Sequence, residues 1–336
     1  MNEELRMETN KEILAFRVGS VLYTPAINEG IAEKILANEY DCLCSMAFCL
    51  EDAIMEEALE QAEQQLADTL RILLKSGRTS EELPLLFVRV RNPRHLELVS
   101  RKLDPFREIL TGYILPKFDM VNAGAYLSVM NGINRRSDTL LYAMPILESA
   151  VIADKTSRMQ ELSRMHSLLM AHRDIILNVR VGGNDFCNLY GLRRTSSQTI
   201  YDISFIRDIL SDIIGTFGRD FVVSAPVWEY FGNDDADQWA RGLRAELELD
   251  RLNGFIGKTA VHPTQLPLIY QSLQVSRTDA ADADAILDWQ DAAFAVGKSG
   301  DGSRMNEVKC HGNWARKIRI LSEIYGIRED ANEKLV

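Results

Sequence analysis

Apolar residues fall along this chain in two alternating rhythms. Short apolar runs occupy Arg17–Tyr23, Cys44–Leu50, Leu85–Val90, Gly112–Leu115, Leu140–Leu147, Ile175–Val181, Asp220–Ala225 and Gly254–Val261. Between most of them lie longer stretches with apolar positions every three or four residues. The runs predict strands buried on both faces, and the stretches predict amphipathic helices. Met55–Lys75 (MEEALEQAEQQLADTLRILLK) is the clearest helix, and Ala150–His172 is another. Strands separated by helices pair in parallel, so eight such units predict an α/β chain folded as a (β/α)8 TIM barrel. A doubly wound open sheet competes with it on pattern alone. Residues 1–16 read as an N-terminal arm, 17–270 as the barrel and 271–336 as a C-terminal helical extension. In that extension a helix, a Gly/Ser turn at Gly297–Gly302 and a second helix near Trp314–Tyr325 would form a lid or an oligomer contact.

Polar residues stand where the apolar runs stop. The second run ends in Leu50-Glu51-Asp52 and the third carries Arg89 and Arg91. The fourth ends in Pro116-Lys117 and the fifth in Glu148. The sixth runs into Gly182-Gly183-Asn184-Asp185, and the eighth into His262-Pro263. A barrel brings all these strand ends to one face, where active sites are built. A carboxylate at the tip of a buried strand needs a cation, a metal or water. Glu148 and Asp185, on adjacent strands and flanked by small residues, suit Mg²⁺, a hard ion that takes oxygen ligands and keeps some of its waters. Alternatively, Glu148 pairs with an arginine and Asp185 caps the helix that follows. Arg89 is the expected carboxylate anchor, through two parallel hydrogen bonds. Strand alternation predicts that Arg91 faces the barrel mouth with it, or that either arginine neutralises Glu51 or Asp52. His262 is a candidate acid, base or loop-holding residue.

Composition removes other classes. With 46% hydrophobic and 26% charged residues over 336 positions, the chain is globular, and its net charge of −11 argues against sequence-independent nucleic-acid binding. No run of 18 apolar residues suggests a membrane span, and MNEELRMETNKEIL lacks a signal-peptide core. Five cysteines without a CxxC pair suggest reduced thiols and a cytoplasmic protein, with no zinc site. Phosphate-loop, dinucleotide, GxSxG and HExxH motifs are absent.

The order LEDAI (50–54), FVRVRNP (87–93), ILPKFD (114–119), PILESA (145–150), VGGNDF (181–186) and GFIGKTAVHPTQ (254–265) resembles the citrate lyase beta-subunit family. That family belongs to the HpcH/HpaI aldolase group. The resemblance covers about residues 17 to 270 and extends to the C-terminal helices. It implies a barrel that breaks or forms carbon–carbon bonds with Mg²⁺, or Mn²⁺, through a metal-stabilised enolate. It implies Glu148 and Asp185 as metal ligands and Arg89 as the residue that holds a substrate carboxylate. Glu51 and Asp52 would stand where protons move, with Arg91, Lys117, Gly183, Asn184 and His262 around the substrate. It further implies a small 2-oxo or 3-hydroxy acid, free or as a coenzyme A or acyl-carrier thioester. The assembly would be a homo-oligomer, trimer or hexamer. A malyl-type thioester hydrolase and a non-catalytic 2-oxo-acid-binding protein are the alternatives. The sequence departs from the family at Cys49 (Asp expected), Arg91 (Asn), Asp119 (Glu) and the strand-7 loop SAPVWEYFGNDD. These positions surround the substrate, not the metal, and they weaken the case for a thioester.

Overall fold

The computed structural model describes residues 3–290 and 293–329, with side chains from Asn10 onward. Each expected strand position holds a strand: β1 Ser20–Pro25, β2 Ser45–Cys49, β3 Leu85–Arg89, β4 Gly112–Leu115, β5 Tyr142–Leu147, β6 Val179–Val181, β7 Val223–Ser224 and β8 Lys258–Ala260. They form one parallel sheet in the order β7-β6-β5-β4-β3-β2-β1-β8. The bridge Ala225↔Lys258 joins its two ends and closes the barrel. The open-sheet alternative is thereby excluded. At the entry to β1 and β8, a Cβ on Gly257 would lie 2.2 Å from Gly19 O, so only glycine allows the two backbones to meet there.

Two apolar cores follow from strand alternation. Val21, Ala47, Phe87, Ile114, Met144 and Ile146 point inward and fill the barrel. Met46, Phe48, Leu86, Val88, Leu115 and Leu147 point outward against the helices. The predicted helix Met55–Lys75 opens with a 3-10 turn at Glu56–Ala58 and continues as α-helix over Leu59–Lys75, burying Ala62, Leu66, Leu70 and Leu73. The expected helix Ala150–His172 is two helices, Ala150–Ala153 and Arg158–Ala171. The break comes from Asp154, whose carboxylate accepts from Thr156 N and Oγ1 and from Ser157 Oγ. Such local bonds compete with the helical ladder.

The strand expected from Arg17 begins only at Ser20. Residues Glu3–Arg17, expected as an arm, form a helix. Its end places Leu14, Ala15 and Val18 against Val21, Leu85 and Leu177, at the end where the strands begin. No described helix is long and apolar enough to cross a membrane.

The described chain divides into two compact units at Ile269/Tyr270. In the second unit, helices Arg277–Leu287 and Val308–Tyr325 pack through Ala283, Ile286 and Ala315. The Gly/Ser turn is the tip of an antiparallel hairpin, Val296–Lys298 with Met305–Glu307. Asp301 pins that tip by accepting from Ser299 Oγ, Ser303 N and Ser303 Oγ. Residues 291, 292 and 330–336 of the expected extension lie outside the described residues.

Candidate active site

The strand ends converge as expected, and Glu148 sits at their centre. It follows β5 directly and is 5% exposed. Three neighbours fix it. Lys117 N donates to Glu148 Oε1 at 2.8 Å. Lys117 makes that bond at φ 50°, a left-handed backbone unusual for a residue with a side chain. On the β6 side a Cβ on Gly182 would lie 2.1 Å from Glu148 Oε2, so the carboxylate occupies the space of a missing side chain. Asp185, in the first turn of the helix Gly183–Leu189, lies within hydrogen-bonding reach of Glu148. Burial, with the Asp185 charge added, pushes the Glu148 carboxyl up to about 8.

A charged cluster borders this pair. Arg89 Nη2 lies 2.7 Å from Glu51 Oε2, 3.0 Å from Asp52 Oδ2 and 3.7 Å from Glu148 Oε1. Lys117 Nζ lies 2.6 Å from Glu51 Oε1 and 3.3 Å from Asp52 Oδ1. Burial works against the charge on Arg89, but the surrounding anionic groups raise its pKa further. Burial also raises Glu51, with Arg89 and Lys117 opposing it, whereas Asp52, despite partial burial, is held below the usual carboxylate range. Arg89 therefore does both things the sequence left open: it neutralises the acidic pair and faces the mouth.

The donor chemistry suits a divalent cation. Two carboxylates stand side by side, and the nearest cation to Glu148, Arg89, is at 3.7 Å. Like charges so placed are unfavourable unless a proton or a metal lies between them. Among the described residues no group of three or more His, Cys, Asp or Glu side chains is placed to hold a metal ion. The protein thus offers two oxygen ligands, and water or substrate would complete the shell of a hard cation.

Other expected residues are placed differently. Arg91 lines the cavity beside Glu51, Asp52 and Lys117, but its guanidinium is tied to the loop after β2. β3 ends at Arg89, and strand alternation ends with it. The Arg91 guanidinium donates to Leu50 O at 2.7 Å and Ile54 O at 2.6 Å and pairs with Glu56, holding the loop after β2. His262 caps the short turn Pro263–Gln265 through Nδ1, 2.9 Å from Thr264 Oγ1, and its ring stacks on Phe231 at 4.4 Å. Gly183 is buried close to Pro226, and Asn184 is half-buried beside Asp185.

Sequence reading missed Tyr23 and Arg180. Tyr23 lies on β1 with Arg89 Cζ 5.9 Å from its ring centre, and Arg180 hydrogen-bonds its side chain from β6. A signal existed: the triplet Val-Arg-Val occurs at 88–90 and again at 179–181. Cys49, where the family has Asp, ends β2 in register with Arg89 and is buried.

Residues 12–327 match the model of a family described as carbon–carbon bond lyases of the TIM-barrel fold. The chain belongs to that family. This lyase is also 25% identical over 289 residues to a citrate lyase subunit beta-like protein of Deinococcus radiodurans, which spans 84% of this chain and 88% of that protein. A solved citrate lyase from Burkholderia xenovorans aligns with TM-score 0.69 at 14% identity, covering 93% of the lyase and 94% of that chain. The CitE protein of Mycobacterium tuberculosis, in complex with magnesium, acetoacetate and coenzyme A, aligns with TM-score 0.59 at 16% identity, covering 91% and 98%. These likenesses establish a shared barrel. The family match makes the chain an enzyme of the carbon–carbon bond lyase class.

Proposed function

We propose that this lyase breaks or forms a carbon–carbon bond in a small 2-oxo or 3-hydroxy acid, with Mg²⁺ held by Glu148 and Asp185. The observation that carries this reading is the buried carboxylate pair standing beside Arg89 at the barrel mouth. When bound, Mg²⁺ supplies Lewis-acid polarisation of the substrate's oxygens. Arg89, whose position is fixed by Glu51 and Asp52, holds the substrate carboxylate and stabilises charge that grows on the neighbouring oxygen as the bond breaks. Asp52, half-exposed and flanked by Lys117, is placed to exchange a proton with the reacting carbon's side of the site. Lys117 orients Glu148 through its backbone and Glu51 through its side chain, joining the two halves of the site. The relative solved with magnesium, acetoacetate and coenzyme A supports the class of reaction.

Calorimetric titration of Mg²⁺, with and without pyruvate or oxaloacetate, tests this reading. Mg²⁺ and acid should each tighten the other, and Glu148→Gln should lower Mg²⁺ affinity at least about tenfold, as expected when one of two charged ligands is lost. Equal affinity in the variant would remove Glu148 from the metal site. Analysis of the products of turnover separates a lyase from a thioester hydrolase.

A further inference from the structure

Arg180 is the most deeply buried cation facing the site, at 2% exposure, and nothing in the proposed chemistry uses it. Other buried arginines have evident employment. Arg107 donates to Thr139 O, Ile133 O and Asn134 Oδ1, and Arg158 pairs with Asp212 and two carbonyls. Arg180 has two side-chain partners, both neutral: Thr259 Oγ1 at 2.6 Å and Tyr23. Among the described residues no carboxylate acts on it, and its Nη1 has no partner at all. A guanidinium cannot shed its charge, and burying one without a counter-ion is costly. Its two partners, Tyr23 and Thr259, each keep partial exposure, unlike Arg180 itself. Tyr23 also carries Arg89 over its ring, and Arg89 Nε is likewise buried without a partner. Two guanidinium groups from β3 and β6 therefore flank one tyrosine, each with an unused donor.

We propose that Arg180 is a specificity-determining residue that receives a second anionic group of the substrate. The site then takes a short dianionic acid, with one carboxylate at Arg89 and the other at Arg180 and Thr259. This inference rests on the reading of the site given above. It deepens that reading by selecting dianions over monoanions. The missing counter-ion of Arg180 arrives with the ligand, which is why the free protein contains none nearby. A purely structural Arg180, tying β1 to β6 and β8, would instead affect stability without regard to ligand charge.

The test measures dissociation constants of the Mg²⁺-loaded protein for pyruvate, a monoanion, and oxaloacetate, a dianion. Thermal melting is recorded alongside. The wild type should prefer oxaloacetate, and Arg180→Met should reduce that preference by about tenfold or more, the worth of one charge-assisted hydrogen-bonded pair. Pyruvate and Mg²⁺ affinities should stay within about twofold, since neither involves Arg180. A wild type without preference for the dianion overturns the proposal, as does a variant that weakens both acids equally or neither. Binding of Mg²⁺ and pyruvate with an unchanged preference in the variant rejects Arg180 alone. Failure of the wild type to bind either acid rejects the parent reading and this one together. Should Arg180→Met not fold, Arg180→Gln removes the charge and keeps a hydrogen-bond donor. An undiminished preference in that variant overturns the proposal as well.

Discussion

At the scale of single residues, the site is organised by how Glu148 is held. Its carboxyl is shifted from an ordinary 4.5 to about 8 by burial and by the charge of Asp185. Between those two values the folded protein keeps a proton that the unfolded chain has released. The metal-free fold therefore loses stability as pH rises through that window. A divalent cation must displace the same proton. Mg²⁺ affinity should rise with pH up to about 8 and then level off, and binding near neutral pH should release close to one proton. Calorimetry in buffers of different ionisation enthalpy reads that release directly. A heat independent of buffer would mean that Glu148 is already ionised. Glu148, Asp185 and Arg89 were visible in the sequence because each stands at the end of an apolar run. The left-handed backbone of Lys117 was not, since nothing in ILPKFD announces a positive φ. Arg91 lies beyond the end of β3 at Arg89, so strand alternation does not set its direction.

At the scale of elements, β8 is fastened to the helix Gln238–Leu252 by a buried ionic network. Lys258 Nζ lies 2.8 Å from Glu246 Oε1 and 2.7 Å from Asp250 Oδ2, and Tyr201 Oη donates to Asp250 Oδ1 at 2.8 Å. Arg194 Nη2 approaches Glu246 at 3.4 Å. Removing the central cation strands two carboxylates in the core. Lys258→Met should cost about 3–5 kcal/mol in urea unfolding. A loss below about 1 kcal/mol would mean that the acids accept protons or water without difficulty. The strand itself could be read from GFIGKTAVHP. The network could not, because its members come from four separate stretches of chain. The same limit explains the divided helix after β5, where Asp154 ends a pattern that periodicity alone would have continued.

At the scale of the whole molecule, the eight-unit barrel was legible because alternation of strand and helix is a property of the entire chain. The role of the first residues was not. Their charged composition resembles a loose arm, yet the last turn of that helix closes the bottom of the barrel with Leu14, Ala15 and Val18. Ala15→Asp should place an unpartnered charge there and lower stability by about 2 kcal/mol or more. The Mg²⁺ dissociation constant of the folded protein should not change, because the carboxylates lie at the opposite ends of the strands. A coupled loss of metal affinity would show that the two ends communicate through the barrel interior.

The contact between Gly182 and Glu148 also constrains how this enzyme can change over generations. One partner acts by having no side chain, so it cannot be adjusted by degrees. Any replacement at Gly182 intrudes on the carboxylate at once. Sequences that drift away from this chemistry would lose both positions together, and those that keep it would keep both.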